Sequence, residues 1–446
     1  MSRFLSAGIA VLVVTSLAAC SDTVSPNREM SAPDQLSLAR VADAEDDSDD
    51  VVPGEVLVKF KDGANGEAKA KGKGLGVLKK GANDAFLVVN SGRGREKETA
   101  KSLKDDPDVE WVEPNYIRYP DATDSRLWAF YNPGGLNMKF TSGGSGYIPS
   151  SYASILDADE DAPSGTFAAG GSPVTVGSID TGVQMNHVEF TGRLIAGKDW
   201  VSNDNDPSDQ DGHGTHTTGT MAGSTVGVAG ISGAAPNVKI YVQRVCGPSG
   251  CPTSAIINAI NAAANYVDAN GNHLVAINLS LGGTSESSGE KTAIQNATKN
   301  GVLVIASAGN SGKNKVACPA CDANAISVMA TNWKDAKASY SQFGNGLDIA
   351  APGGECYSNT TPEGCIYSSY LSGSNNGYEW LQGTSMAAPQ VTGAAAVVAS
   401  KTGLRGSALR TRLLSTVDKP STINQYKVGR LNVYRAVTNS SLPAGQ

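Results

Sequence analysis

The stretch Pro173-Val174-Thr175-Val176-Gly177-Ser178-Ile179-Asp180-Thr181-Gly182 is a nearly continuous apolar run that ends in a carboxylate, with a glycine two positions later that lets the chain turn. A run with no wet face is what a strand covered on both sides requires. Comparable runs recur at residues 238–245, 274–279, 302–306 and 325–329, and helix-like segments lie between several of them, notably 253–267 and 291–300. Strands of this kind interleaved with helices predict an α/β fold with a mostly parallel sheet covered on both faces. Functional groups in such sheets sit beyond the carboxyl ends of the strands, which is where Asp180 falls.

Upstream the pattern changes. Residues 55–60, 85–89 and 109–116 read as strands and 95–104 as a short charged helix, so 51–120 forms a small α+β unit. Residues 21–50 show little apolar periodicity and end in the acidic run Asp43-Ala44-Glu45-Asp46-Asp47-Ser48-Asp49-Asp50. They read as a solvated, disordered linker, because they cannot bury enough surface to order themselves. Residues 4–17 are apolar behind Arg3, too short for a permanent span and suited to an export signal within 1–20. The remainder, 121–446, begins with a polar Gly- and Ser-rich stretch and continues into the α/β unit.

The whole chain of 446 residues has 51 glycines, 40% hydrophobic and 18% charged residues, a mixture that excludes collagen and wholesale disorder. With 36 Lys and Arg against 43 Asp and Glu, the net charge of −7 supplies no basic field for nucleic acid or acidic lipid. Of seven cysteines, Cys20 stands alone and six fall in close pairs, Cys246 with Cys251, Cys318 with Cys321, and Cys356 with Cys365. Short loops close at little entropic cost, which favours three local disulfides and an oxidising compartment. A redox or zinc site at Cys318 and Cys321 is the alternative, though no second ligand pair lies nearby.

Three segments carry chemistry. Asp180-Thr181-Gly182 alone is a weak signal; the same tripeptide opens aspartic protease motifs, which need a second copy that is missing here. Asp211-Gly212-His213-Gly214-Thr215-His216 holds two of the four histidines, either able to act as a general base or to serve the structure. Gly383-Thr384-Ser385-Met386-Ala387-Ala388-Pro389 precedes a small-residue segment that reads as a buried helix. A serine on its first turn meets free N–H groups and the positive end of the helix dipole; it is either a nucleophile or an N-cap.

Taken together and in this order, the segments resemble the subtilisin-like serine peptidase family over about 172–439. The resemblance implies a three-layer sandwich, Ser385 as nucleophile, His213 as its base and Asp180 as the group orienting the imidazole. By the same resemblance, Asn310 in Ser307-Ala308-Gly309-Asn310 is expected to be the side-chain donor of the oxyanion hole, beside the N–H of Ser385. Ser280-Leu281-Gly282-Gly283 resembles the edge along which a peptide substrate lies extended. Residues 51–120 look like the family's inhibitory, ferredoxin-like propeptide, with self-cleavage near 119–124. Leu17-Ala18-Ala19-Cys20 resembles a lipobox, which would acylate Cys20 and make the precursor an outer-membrane lipoprotein; an ordinary signal with an incidental cysteine is the alternative.

Departures from the family pattern carry their own expectations. Glu189 stands where relatives have a calcium-binding aspartate, and the usual calcium loop is not recognisable around 224–230, whereas Asp204, Asp206, Asp209 and Asp211 resemble a weaker calcium loop or form a solvated acidic turn. Thr217 and Thr218 replace a common Val-Ala and Gln390 a frequent His, none of them expected to touch the chemistry. The expectation is an exported serine endopeptidase made as a zymogen, acting on polypeptides, inhibited by its own propeptide, without a cofactor for chemistry and with kcat/KM rising through a histidine pKa of about 6 to 7. The alternative is a catalytically silent lipoprotein that binds peptides or mediates adhesion.

Overall fold

The computed structural model of the chain describes residues 51–61, 66–81, 85–120, 139–140, 146–147, 171–224, 238–356, 364–373 and 376–439. Cys20 and the linker 21–50 lie outside them. The N-terminal unit runs β1 (Val51–Phe60), α1 (Gly66–Gly72), β2 (Gly76–Lys80), β3 (Leu87–Asn90), α2 (Glu96–Leu103) and β4 (Val109–Pro120). Its strands pair antiparallel in the order β4-β1-β3-β2, with a helix after β1 and another after β3, the ferredoxin-like arrangement. Alternation along the strands makes both faces of this sheet apolar. Val56, Val58, Leu87 and Val89 pack on the two helices, while Leu57, Phe86 and Val88 join a core of the second unit.

A short antiparallel pair, β5 (Lys139–Phe140) and β6 (Gly146–Tyr147), precedes the second unit. That unit comprises β7 (Val174–Asp180), β8 (Leu194–Asp199), α3 (His213–Ala222), β9 (Val238–Arg244), β10 (Cys251–Pro252), α4 (Thr253–Asn265), β11 (Ala276–Leu279), β12 (Leu281–Gly282) and α5 (Ser288–Lys299). It continues through β13 (Leu303–Ser307), β14 (Ala325–Thr331), β15 (Ile349–Pro352), β16 (Ile366–Tyr370), β17 (Gly377–Leu381), α6 (Thr384–Thr402), α7 (Gly406–Ser415) and α8 (Val433–Thr438). Seven strands form one parallel sheet in the order β15-β14-β13-β11-β7-β9-β8. The five strands expected from the apolar runs are its interior, and β8 and β15 are its edges.

Helices cover both faces, giving three layers. Val176, Ile240, Ile305 and Val328 pack with the Ala- and Val-rich α6, whose small side chains let it lie close to the sheet. On the other face Ile277, Leu279 and Val304 pack with Ile256 and Ile260 of α4 and Ile294 of α5. Full burial of each such side chain contributes about 1.5–3 kcal/mol. The chain leaves β7 for β8 and β9 on one side and for β11, β13, β14 and β15 on the other, so the strand order reverses beside β7, and the crevice at that point holds the ends of β7 and β11. The three expected disulfides are present, joining Cys246 to Cys251, Cys318 to Cys321 and Cys356 to Cys365. Among the described residues no helix is long and apolar enough to cross a membrane.

Two helices of the second unit receive caps from the first. No side chain of its own caps α4. Asn115 on β4 does so, accepting the Ser254 N–H at 2.9 Å. At the start of α5, Glu113 accepts the Ser287 hydroxyl at 2.6 Å and the Ser288 N–H at 2.7 Å.

Candidate active site

Asp180 is the last residue of β7 and 1% exposed. The turn after it depends on glycine: Gly182 has φ +105°, and a side chain at Gly214 would meet the Gly182 carbonyl at 2.1 Å. The first turn of α3 therefore rests directly on Asp180-Thr181-Gly182, which brings His213 to the carboxylate. His213 Nδ1 donates to Asp180 Oδ1 at 2.7 Å, and the Thr181 N–H donates to the same oxygen at 2.7 Å. Burial alone would pull the imidazole below its ordinary value; the charge and hydrogen bond of Asp180, with Asp211 and Asp209 behind it, more than offset this and leave the ring more basic than usual. With Nδ1 protonated toward Asp180, Nε2 is the free lone pair, and it is buried with no hydrogen-bond partner among the described residues.

His216 differs. Its Nε2 bonds the Ile366 carbonyl at 3.2 Å, and burial, reinforced by His213, pushes its pKa down to about 3. It stays neutral, as a structural neighbour of the reacting groups.

Ser385 lies on the first turn of α6, fully buried, where the helix itself offers its leading N–H groups no acceptor. Its hydroxyl donates to the Ser280 carbonyl at 3.3 Å, and the Ser280 hydroxyl donates to the Ser385 carbonyl at 2.8 Å. Asn310 follows β13, and its Oδ1 accepts both the N–H and the hydroxyl of Thr384 at 2.9 Å. Fixing the oxygen leaves Nδ2 as the available donor, and this atom is buried with no partner among the described residues. The base opens α3 and the hydroxyl lies on the first turn of α6, two helices that pack against each other, and the amide donor is held on Thr384 beside that hydroxyl.

The expected substrate edge is occupied by the chain itself. In register, Pro120 and Tyr119 at the end of β4 pair antiparallel with Leu281 and Gly282, and Arg118 and Ile117 pair with Cys251 and Pro252. Gly283 instead exchanges backbone hydrogen bonds with Cys318, both at 2.9 Å.

Of the two readings open for Asp204, Asp206, Asp209 and Asp211, the acidic turn describes their hydrogen bonds, with Asp209 buried. They turn onto their own loop, Asp204 taking the Asp206 N–H at 2.9 Å, Asp206 the Ser208 N–H at 3.2 Å and Asp211 the His213 N–H at 3.1 Å. Asp209 accepts the Thr181 hydroxyl and the Thr215 N–H, both at 2.9 Å, bracing the turn beneath His213. Among the described residues no group of three or more His, Cys, Asp or Glu side chains is placed to hold a metal ion. Glu189 is likewise engaged, with Ser224 at 2.9 Å and Tyr378 at 2.5 Å; residues 225–230 lie outside the described residues. Thr217, read in sequence as remote from the chemistry, reaches Asp180 Oδ2 with its hydroxyl at 3.1 Å. Gln390 bonds the Pro352 carbonyl at 2.6 Å, within the scaffold.

A serine and an amide donor at the head of a helix, with a histidine oriented by a buried carboxylate, form the constellation on which serine hydrolases are built. The chain belongs to the subtilase family of serine proteases: residues 171–433 match that family, and residues 37–115 match the fervidolysin N-terminal prodomain. It is 34% identical over 394 residues to a thermophilic serine proteinase of Bacillus sp. (strain AK1), covering 87% of this chain and 88% of that one. It is 39% identical over 278 residues to thermitase of Thermoactinomyces vulgaris, covering 62% of this chain and 92% of that one. The fold is shared with the epidermin leader peptide processing serine protease of Staphylococcus aureus, at 22% identity and a TM-score of 0.66 over 88% of this chain and 100% of that one.

Proposed function

We propose that the protein is an exported serine endopeptidase, made as a zymogen, that hydrolyses peptide bonds through an acyl-enzyme on Ser385. The observation that carries this reading is the buried His213–Asp180 hydrogen bond, which leaves Nε2 as an unused base. In the reaction Ser385 Oγ exchanges its weak 3.3 Å bond to Ser280 for one to Nε2, which takes the proton as Oγ attacks the scissile carbonyl. Asp180 stabilises the imidazolium, and the same proton passes to the leaving amine. Asn310 Nδ2 and the Ser385 N–H then bond the oxyanion more strongly than the ground-state carbonyl. This sequence needs no cofactor.

An extended polypeptide substrate would add a strand to Leu281–Gly282, the edge that residues 119–120 now cover. Their position supports self-inhibition by the N-terminal unit until the bond near 119–124 is cut. In the same reading acylated Cys20 holds the precursor on the cell envelope and cleavage releases the catalytic unit to the periplasm or medium. The decisive experiment combines a serine-directed fluorophosphonate with Ser385→Ala. The wild-type chain is expected to shorten to the catalytic unit and take the label, and the variant to remain full length and unlabelled. A variant that still matured or still took the label would end the assignment.

A further inference from the structure

Asp180 is 1% exposed, so each of its carboxylate oxygens depends on the protein for donors. Oδ1 has two, the Thr181 N–H and the His213 ring, each at 2.7 Å. Oδ2 has one among the described residues, the Thr217 hydroxyl at 3.1 Å. Thr217 is itself fully buried on α3, one turn beyond His213. Its hydroxyl also lies 3.2 Å from the Gly214 carbonyl, the usual back-bond of a threonine within a helix. A hydroxyl has a single proton, and an ionised carboxylate is a stronger acceptor than a peptide carbonyl, so the proton goes to Asp180.

We infer that Thr217 is a positioning residue for the reaction: its hydroxyl anchors Asp180 Oδ2, holding the carboxylate so that Oδ1 stays on the His213 Nδ1–H and sharing the charge that faces the imidazolium. This rests on the assignment of Asp180, His213 and Ser385. Thr217 acts through Asp180 and does not touch substrate, so its removal changes kcat and leaves KM alone. Freed of this donor, the carboxylate concentrates its charge on His213, whose acid limb then moves upward.

The test compares processed wild type, Thr217→Val and Thr217→Ser, with active sites counted by fluorophosphonate titration. Val keeps the shape and removes the hydroxyl; Ser keeps the hydroxyl. Labelling of Thr217→Val shows that the Ser385 assignment stands, and absence of label from wild type would instead condemn that assignment. For Thr217→Val, kcat per titrated site is expected to fall about tenfold with KM within about twofold. The acid limb of kcat/KM is expected to rise by about half a pH unit. Thr217→Ser should return both. An unmoved acid limb with kcat within about twofold of wild type overturns the inference, as does failure of Ser to restore what Val removes. If Thr217→Val does not mature, the unprocessed Ser385→Ala precursor serves, with and without Thr217→Ala. The low-field proton resonance of His213 Nδ1–H should shift or broaden on loss of the hydroxyl, and an unchanged resonance overturns the inference.

Discussion

His213 keeps its Nδ1 proton for as long as Asp180 faces it, and the same carboxylate makes the ring hold a second proton more firmly than a free histidine would. Since the base must be neutral to act, kcat/KM should rise with pH through a value above the ordinary 6.5, somewhat higher than the sequence alone suggests. A profile flat from about pH 5 to 9, or rising only well below 6, would remove His213 from that role. Asn310→Ala removes the Nδ2 donor to the oxyanion and, in the resting enzyme, the acceptor of the Thr384 N–H and hydroxyl. Its kcat should therefore drop roughly 10²- to 10³-fold, the size of the effect for the corresponding donor of subtilisin, with little change in KM. A loss confined to KM would contradict an oxyanion role. Asp180, His213, Asn310 and Ser385 could be picked out as candidates because their motifs stand in the order of the family they resemble, each motif alone leaving its role open. Thr217 could not: exchanging a methyl for a hydroxyl looks conservative in sequence, and its meaning depends on which atom tertiary packing sets 3.1 Å away.

Among the elements, α5 shows how the N-terminal unit grips the second. The Glu113 carboxyl is pushed up to about 7, chiefly by burial and further by the charge of Glu290, against the pull of the Ser287, Ser288 and Gly289 donors. A free Glu113 would titrate near 4.5, so the docked unit binds the extra proton between these values. Docking should then be tightest below about 4.5 and weaken as pH rises through 7, by at most about tenfold per pH unit. Dissociation of the two units after processing, followed by size-exclusion chromatography against pH, should show this slope, and Glu113→Gln should flatten it. A slope that persists in the variant assigns the dependence elsewhere. The two strands of the parallel sheet that sequence reading missed share a cause. β8 is an edge strand of mostly partly buried residues that ends in Gly-Lys-Asp, β15 is four residues ending in proline, and neither presents the long apolar run that marks the interior strands.

At the scale of the whole molecule, the two units share a core. Phe86 and Leu57 of the N-terminal unit join the cluster that contains Ile256 and Ile257 of α4. Phe86→Ala, at a position 2% exposed, should cost the precursor about 3–5 kcal/mol, read as a lower unfolding midpoint in denaturant. A midpoint unchanged from wild type would mean the shared core does not stabilise the precursor. The existence of two units was readable from the shift in pattern near residue 120, because each has its own periodicity. Their joint packing was not, since a face apolar for one partner looks the same as a face apolar for another.

Strand β4 pairs with β1 of its own unit and with β10 and β12 of the other, and severing the chain just past it would leave those hydrogen bonds intact while abolishing the tether. What had been a ligand at fixed effective concentration becomes one that obeys mass action. The blockade would then persist in a confined compartment and lapse on dilution, so the volume into which the enzyme escapes would itself act as the trigger.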